Sequence, residues 1–172
     1  LEGSAKWLVG SVPVIVVVWL RFATHVVFAG ALLLPLRGLS LVKTAHLRWH
    51  LLRALMFVAM TGINFWALQY LQLAITSSIY FVVPILIALL AAPLLGEKID
   101  RARWAAILAG FAGVLVIIRP WSAAFHPAML ASVVNAILYA LFNLMTRRLA
   151  AYDPPETIQF LPAVGATIVL AP

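Results

Sequence analysis

The sequence predicts an all-α transmembrane helix bundle, on the evidence of its composition and of one long uncharged run. Hydrophobic residues make up 65% of the 172 residues and charged residues only 10%, whereas soluble domains average about 25% charged residues. Mean hydropathy is correspondingly high, at +1.09. Residues 72–95 carry no charge before the chain reaches Glu97, and about 20 apolar helical residues suffice to cross a bilayer. We therefore expect a polytopic integral membrane protein.

Apolar runs bounded by charged residues, proline or glycine predict the elements in chain order. A short segment near 1–11 precedes predicted spans at 14–35, 52–71, 73–95, 103–118 and 128–146, and another helix begins at 157. The first segment is too short to cross a membrane. We therefore expect these helices, about six in all, to be a fragment of a longer chain. Residues 1–4 are either native or a cloning remnant.

The span at 73–95 contains Pro84, which predicts a defect in the middle of the helix. Proline has no backbone donor, so the carbonyl of Tyr80, four residues earlier, loses its usual partner. Lipid cannot satisfy that carbonyl, whereas a neighbouring helix or a water-lined cavity can. We expect a kinked helix that lines a cavity.

The basic residues predict the orientation of the bundle. The net charge is +7, and the chain contains twelve Lys and Arg residues. Nine of them fall around three connections that alternate to one face of the membrane: Arg37, Lys43, Arg48, Arg53, Lys98, Arg101, Arg103, Arg147 and Arg148. The positive-inside rule makes that face cytoplasmic. Topology thus explains the charge, and we expect no nucleic-acid partner. The absence of cysteine excludes disulfides and thiolate metal sites.

A short internal repeat predicts a transporter with two inverted halves. With an offset of 141 residues, Lys6-Trp7-Leu8 aligns with Arg147-Arg148-Leu149, Pro13 with Pro154, and Trp19 with Phe160. The aligned connections lie on opposite faces, so halves of five helices each would have opposite orientation, a pattern of many secondary transporters. We expect residues 1–119 to be a first repeat lacking most of its opening helix. Residues 127–172 would begin the second repeat of a ten-helix parent.

Four stretches also resemble a known family. They are Arg21-Phe22 after Pro13, Asn64-Phe65-Trp66-Ala67-Leu68, the helix from Pro84-Ile85 to Leu95-Gly96-Glu97, and Gly110-Phe111-Ala112-Gly113-Val114. In this order they resemble the EamA-type branch of the drug/metabolite transporter superfamily. The resemblance implies a carrier of the bacterial inner membrane with cytoplasmic termini, which exports amino acids, other metabolites or cationic drugs.

The expected function is therefore secondary transport. We expect an exporter of small metabolites such as amino acids, or of organic cations, that works by alternating access. The alternative is a non-transporting membrane protein, either an intramembrane enzyme or a helix scaffold. The chain has no zinc-protease, nucleophile-elbow or phosphate-loop motif, so we expect no enzyme, cofactor or metal. The partners are a small-molecule substrate and the lipid bilayer, while proton coupling and a homodimer stay open.

Polar residues in the span at 128–146 fall on one helical face: Ser132, Asn135, Tyr139, Asn143 and Thr146. Such a stripe either lines a cavity or forms hydrogen bonds between packed helices. Because this helix aligns with the first helix of the other repeat, we expect it to lie at the interface of the halves. We take Asn135, Tyr139 and Asn143 as candidates to line the pathway. From the neighbouring spans, Asn64, Tyr80 and Pro84 join them because the resembling family uses these helices to wall its pathway.

Charged side chains at membrane depth are further candidates. Arg21 either anchors its helix at the interface or attracts a substrate carboxylate. His25, one turn further, either exchanges a proton or is a buried, neutral, hydrogen-bonded residue. Glu2 and Lys6 are one turn apart and can pair, which makes them a candidate coupling site if residues 1–4 are native. The charges from Glu97 to Arg103 are interpreted as structural.

Overall fold

A computed structural model describes residues 14–96, 99–119, 121–122 and 125–171. Its helices are α1 (Val14–Arg37), a short 3-10 helix (Gly38–Val42), α2 (Leu47–Tyr70), α3 (Leu73–Tyr80), α4 (Val83–Leu95), α5 (Arg101–Ile118), α6 (Pro127–Leu149) and α7 (Pro155–Val169). No strand occurs in these residues. The all-α prediction is confirmed, while Glu2 and Lys6 lie outside the described residues.

Five stretches are long and apolar enough to cross a membrane: Val16–Arg37, Leu47–Tyr70, Leu73–Leu94, Arg101–Ile118 and Pro127–Leu149. They correspond to the five predicted spans. The main difference in bounds is at α2, which begins at Leu47 instead of residue 52. This earlier start adds Arg48 and His50 to the helix, which also carries Arg53, although the sequence analysis counted both arginines with a connection.

The predicted kink at Pro84 is instead a break between two helices. The chain turns at Phe81 and Val82, and Pro84 lies in the first turn of α4. A proline in a first turn costs little, because the backbone donors there have no helical partner anyway. The prediction of one continuous kinked helix over 73–95 was therefore wrong, and α3 ends at Tyr80.

The described residues form two compact units, the first within Leu1–Gly62 and Met145–Pro172 and the second within Ile63–Leu144. In the first unit α1 packs against α7, and the rings of Phe22 and Phe57 meet edge to face at 4.8 Å. Helices α2 and α7 approach closely where a Cβ atom added at Gly165 would lie 2.7 Å from the Cβ of Ala54. A glycine at this contact permits the close approach that small residues provide in membranes.

The second unit has two apolar clusters. One contains Ala67, Leu71, Ile79, Ile118, Ala128 and Met129. The other contains Val82, Val83, Leu86, Ala136 and Ala140. Helices α4 and α5 meet at Gly110, where an added Cβ atom would collide with Ile85 Cδ1. Asp100 caps α5 by accepting a 2.7 Å hydrogen bond from the Arg103 amide, a structural role of the kind the sequence analysis assigned to this charged segment.

Candidate functional site

Asn135 on α6 is the centre of the polar cluster in the second unit. Its side chain is 1% exposed, and Nδ2 donates to the hydroxyl oxygen of Tyr80 on α3 at 2.5 Å. The Oδ1 atom is buried and has no hydrogen-bond partner among the described residues. A buried acceptor without a donor costs about 1–3 kcal/mol, so this oxygen is suited to receive a hydrogen bond from a ligand or a water molecule.

Tyr139, one turn along α6, completes the cluster. Its ring meets the ring of Tyr80 edge to face, with centroids 6.2 Å apart and an interplanar angle of 79°. Tyr139 is 43% exposed, whereas Tyr80 is half-buried. The cluster therefore offers two aromatic rings and one buried amide within a few ångströms of each other.

The surroundings of this cluster are apolar. Tyr80 packs against the cluster of buried residues on α4 and α6 that includes Val83, Leu86 and Ala140. Pro84 is exposed and lies just after the break that ends α3 at Tyr80. An apolar wall with a few well-placed polar groups is typical of small-molecule sites.

The rest of the predicted stripe on α6 is used differently. Ser132 donates to the Ala128 carbonyl at 3.1 Å, and Asn143 Nδ2 donates to the Tyr139 carbonyl at 2.7 Å. These bonds stay within α6. The stripe is therefore not one uniform lining, and Asn135 and Tyr139 are the members that reach α3.

The other predicted residues lie apart from this arrangement in the chain. Arg21 and His25 are exposed on α1, in the first unit. The role of each stays a prediction. Asn64 is half-buried on α2, and its role in a pathway stays a prediction.

A second polar network in the first unit was missed by the sequence analysis. His50 Nε2 lies 2.9 Å from Asp153 Oδ2, and the Thr44 hydroxyl donates to the same oxygen at 2.8 Å. His50 is 1% and Asp153 8% exposed. Burial raises the pKa of Asp153, but hydrogen bonds from His50 and Thr44 outweigh it and hold the pKa below its ordinary value. The carboxylate is therefore ionised at neutral pH.

Arg53 lies one turn beyond His50 and is 2% exposed. Its Nη1 atom donates to the Ile158 carbonyl at 2.7 Å, and Nη2 donates to the Thr146 hydroxyl at 2.9 Å. The Ile158 carbonyl lacks its helical donor because residue 162, four positions later, is proline. The sequence signal for this contact was Pro162, because a proline inside α7 leaves one carbonyl of that helix without a backbone donor.

Further contacts join the same two regions of the chain. Arg37 pairs with Glu156 at 2.7 Å, and the Arg148 guanidinium lies 5.7 Å from the ring centre of Trp49. Together with the Thr44–Asp153 bond, they bring the α1–α2 and α6–α7 connections together. The charge pattern predicted that both connections lie on one face. The side of the membrane that they face stays a prediction.

Comparison with known proteins agrees with the membrane architecture. The sequence profile of the EamA-like transporter family matches residues 4–119. A riboflavin transporter of Vibrio cholerae is 35% identical over 126 residues, covering 68% of this chain and 40% of the relative. A riboflavin transporter of Rhizobium johnstonii is 37% identical over 124 residues, with coverage of 70% and 40%.

A more distant relative is the S-adenosylmethionine uptake transporter of Rickettsia bellii. It is 28% identical over 149 residues, covering 84% of this chain and 51% of the relative. The chain thus spans between 40% and 51% of the length of these three curated relatives. No solved structure matches the chain significantly.

Proposed function

Because this chain belongs to the EamA-like transporter family, we propose that the full-length protein imports a flat heteroaromatic metabolite, with riboflavin as the first candidate. The family and the five candidate spans support an integral membrane carrier. Export of amino acids or organic cations, which the resemblance implied, finds no support in the names of the relatives. Two of them are named riboflavin transporter, and the S-adenosylmethionine relative is named an uptake transporter.

The observation that carries the proposal is the buried, unpartnered Oδ1 atom of Asn135 beside two tyrosine rings. The ring system of riboflavin is flat and has an imide N–H between two carbonyls along one edge. Asn135 Oδ1 would accept from that N–H, and the ring of Tyr139 would pack against the flat surface. Neither amino acids nor small organic cations share this combination of a flat face and an imide edge.

The transport mechanism in this proposal is alternating access between two inverted five-helix repeats. The family match ends at residue 119, where the first repeat is expected to end, which supports the proposed division at 119–127. The carrier would lie in a bacterial inner membrane with the basic connections cytoplasmic. Cysteine at position 43 should then be protected from an impermeant thiol reagent in intact cells, and cysteine at position 121 should react. Labelling at 43 alone would reverse the orientation.

The test of the substrate uses the full-length protein in bacteria that neither synthesise nor import riboflavin. Labelled riboflavin should accumulate in these cells, and excess S-adenosylmethionine, an amino acid and a quaternary ammonium compound serve as competitors. Asn135→Ala should reduce the initial uptake rate about tenfold, since a lost hydrogen bond to a buried group is worth about 1.4 kcal/mol or more.

The matched control is Val134→Ala, because Val134 is the neighbouring residue on α6 and is exposed. It should transport at the unaltered rate. Absence of riboflavin accumulation in cells that express the protein contradicts the proposed substrate. Competition by S-adenosylmethionine alone would move the assignment to that metabolite. Efflux of a preloaded amino acid or cation would restore the export hypothesis.

A further inference from the structure

The His50–Asp153 pair is a buried titratable site that the proposed substrate site does not use. Nε2 of His50 is held by the Asp153 carboxylate, which is also bound by Thr44. His50 belongs to the proposed first repeat and Asp153 to the second. The pair therefore bridges the two repeats at the end of the bundle where the α1–α2 and α6–α7 connections meet.

We propose that His50 and Asp153 form a proton-binding site whose protonation closes this end of the transport pathway. The inference rests on the proposed carrier function, because only a carrier has a pathway to close. His50 Nδ1 is buried and has no hydrogen-bond partner among the described residues. A neutral imidazole that donates through Nε2 keeps a lone pair on Nδ1. A proton can therefore be added at Nδ1 without breaking the bond to Asp153.

Protonation would change the strength of the bridge. The bond from a neutral His50 to the ionised Asp153 is already charge-assisted, and protonation adds the Coulomb attraction between two opposite unit charges, so a positive His50 would hold Asp153 more firmly. Histidine is the side chain that ordinarily changes charge between about pH 5 and pH 8. The lowered pKa of Asp153 keeps that carboxylate ionised in the same range, so it is available to hold a positive ring.

The surroundings decide whether a positive imidazole is tolerated. The adjoining elements carry these charged and titratable groups: Arg48 and Arg53 on α2, Lys43 and His46 before it, Arg147 and Arg148 at the end of α6, Tyr152 in the α6–α7 connection, and Glu156 on α7 with its partner Arg37. Most of these are basic and disfavour a further positive charge, and the Glu156 carboxylate is engaged by Arg37 at 2.7 Å. Asp153 is therefore the carboxylate that must stabilise the protonated ring.

The test measures opening of this end without any substrate. Thr157 is buried on α7, four residues beyond Asp153, whereas Ala151 in the connection is exposed. Each is replaced by cysteine in a full-length protein that has no other cysteine, and the rate of reaction with a soluble maleimide is measured at low and neutral-to-basic pH. Position 151 corrects for the intrinsic pH dependence of the reagent. The rate at 157 relative to 151 should rise about fivefold between about pH 5.5 and pH 8.

Two substitutions should abolish this pH response. His50→Gln removes the titrating ring, and Asp153→Asn keeps a polar side chain but removes the charge that stabilises the proton. Both variants are checked for monodispersity by size-exclusion chromatography. If one of them is misfolded, the labelling ratio of the other variant tests the proton site. His46→Gln is the matched control from the same segment and should retain the response.

A pH-independent ratio in the unaltered protein overturns the proton site, and so does a response that persists in both His50→Gln and Asp153→Asn. Loss of the response in His46→Gln or His25→Gln alone would move the site to that histidine. Because no substrate is present, a protein that fails to import riboflavin can still show the pH response. Conversely, riboflavin uptake together with pH-independent labelling refutes the proton site and leaves the proposed function intact.

Discussion

Replacing Arg53 with alanine should destabilise the protein by about 3–6 kcal/mol, because it removes two hydrogen bonds from a charged donor that are worth about 1.5–3 kcal/mol each. The guanidinium bridges α2 to α7 and α6 through bonds of 2.7 Å to the Ile158 carbonyl and 2.9 Å to the Thr146 hydroxyl. The first bond replaces the helical one that Pro162 cannot provide. Arg53 thus satisfies a backbone group that lipid would leave unsatisfied.

Two contributions to this loss of stability can be measured separately. A hydrogen bond to a charged group contributes about 1.5–3 kcal/mol, and a buried carbonyl left without a donor costs about 1–3 kcal/mol. Pro162→Ala would restore the backbone N–H that Ile158 lacks. The double variant Arg53→Ala Pro162→Ala should therefore be more stable than the sum of the single effects by about 1–3 kcal/mol.

The assay is reversible unfolding of the purified full-length protein by SDS in mixed micelles, followed by tryptophan fluorescence. Arg48→Ala is the matched control, because Arg48 is an exposed arginine on the same helix, and it should change the unfolding free energy by no more than about 0.5 kcal/mol. An Arg53→Ala variant that loses no more stability than Arg48→Ala would refute the stabilising role. Strict additivity in the double variant would refute the link to Pro162.

Low pH and a larger side chain at Gly165 should each lower the stability of the first unit. Because the folded-state pKa of Asp153 is lowered, its stabilisation is complete above the unfolded-state value of 3.8 and is lost as the pH falls through the folded-state value. Thermal scans of the full-length protein below about pH 4 should show this loss, and Asp153→Asn should flatten it. Gly165→Ala should lower the free energy of unfolding by about 1–3 kcal/mol, because the new methyl group overpacks against Ala54. Gly62→Ala should lower it less, because nothing lies within 4 Å of the new Cβ atom. Equal losses of stability in the two variants would show that the Gly165–Ala54 contact is loose.

The spans could be predicted from sequence because lipid leaves the backbone few alternatives to a helix. The start of α2 was missed because Arg48, Trp49 and His50 interrupt the apolar pattern. Contacts with other elements hold that first turn, including the His50–Asp153 bond. The defect at Pro84 was recognised, but its form was not, since a proline fits the first turn of a new helix as readily as it kinks an old one.

The candidate site was predicted in part. Helical spacing marked Asn135 and Tyr139 as neighbours on one face, and this local pattern needs no tertiary information. Their pairing with Tyr80 could not be predicted, because 55 residues separate Asn135 from it. His50 and Arg53 were missed for the same reason. Their partners lie 103 and 105 residues away, and charge counting had placed Arg53 with a solvated connection.

Asn135 Oδ1 and His50 Nδ1 differ from the other buried polar atoms that have no hydrogen-bond partner among the described residues. His46 Nδ1, Trp19 Nε1, Thr76 Oγ1 and Ser122 Oγ are also buried without a partner. Asn135 and His50 differ, because the second polar atom of each side chain is held by a residue distant in sequence. That bond fixes the orientation of the open acceptor. A positioned acceptor whose own rotamer is locked is what ligand binding requires, and it is costly to keep if nothing binds there. The same reasoning therefore supports both proposals, a substrate at Asn135 and a proton at His50.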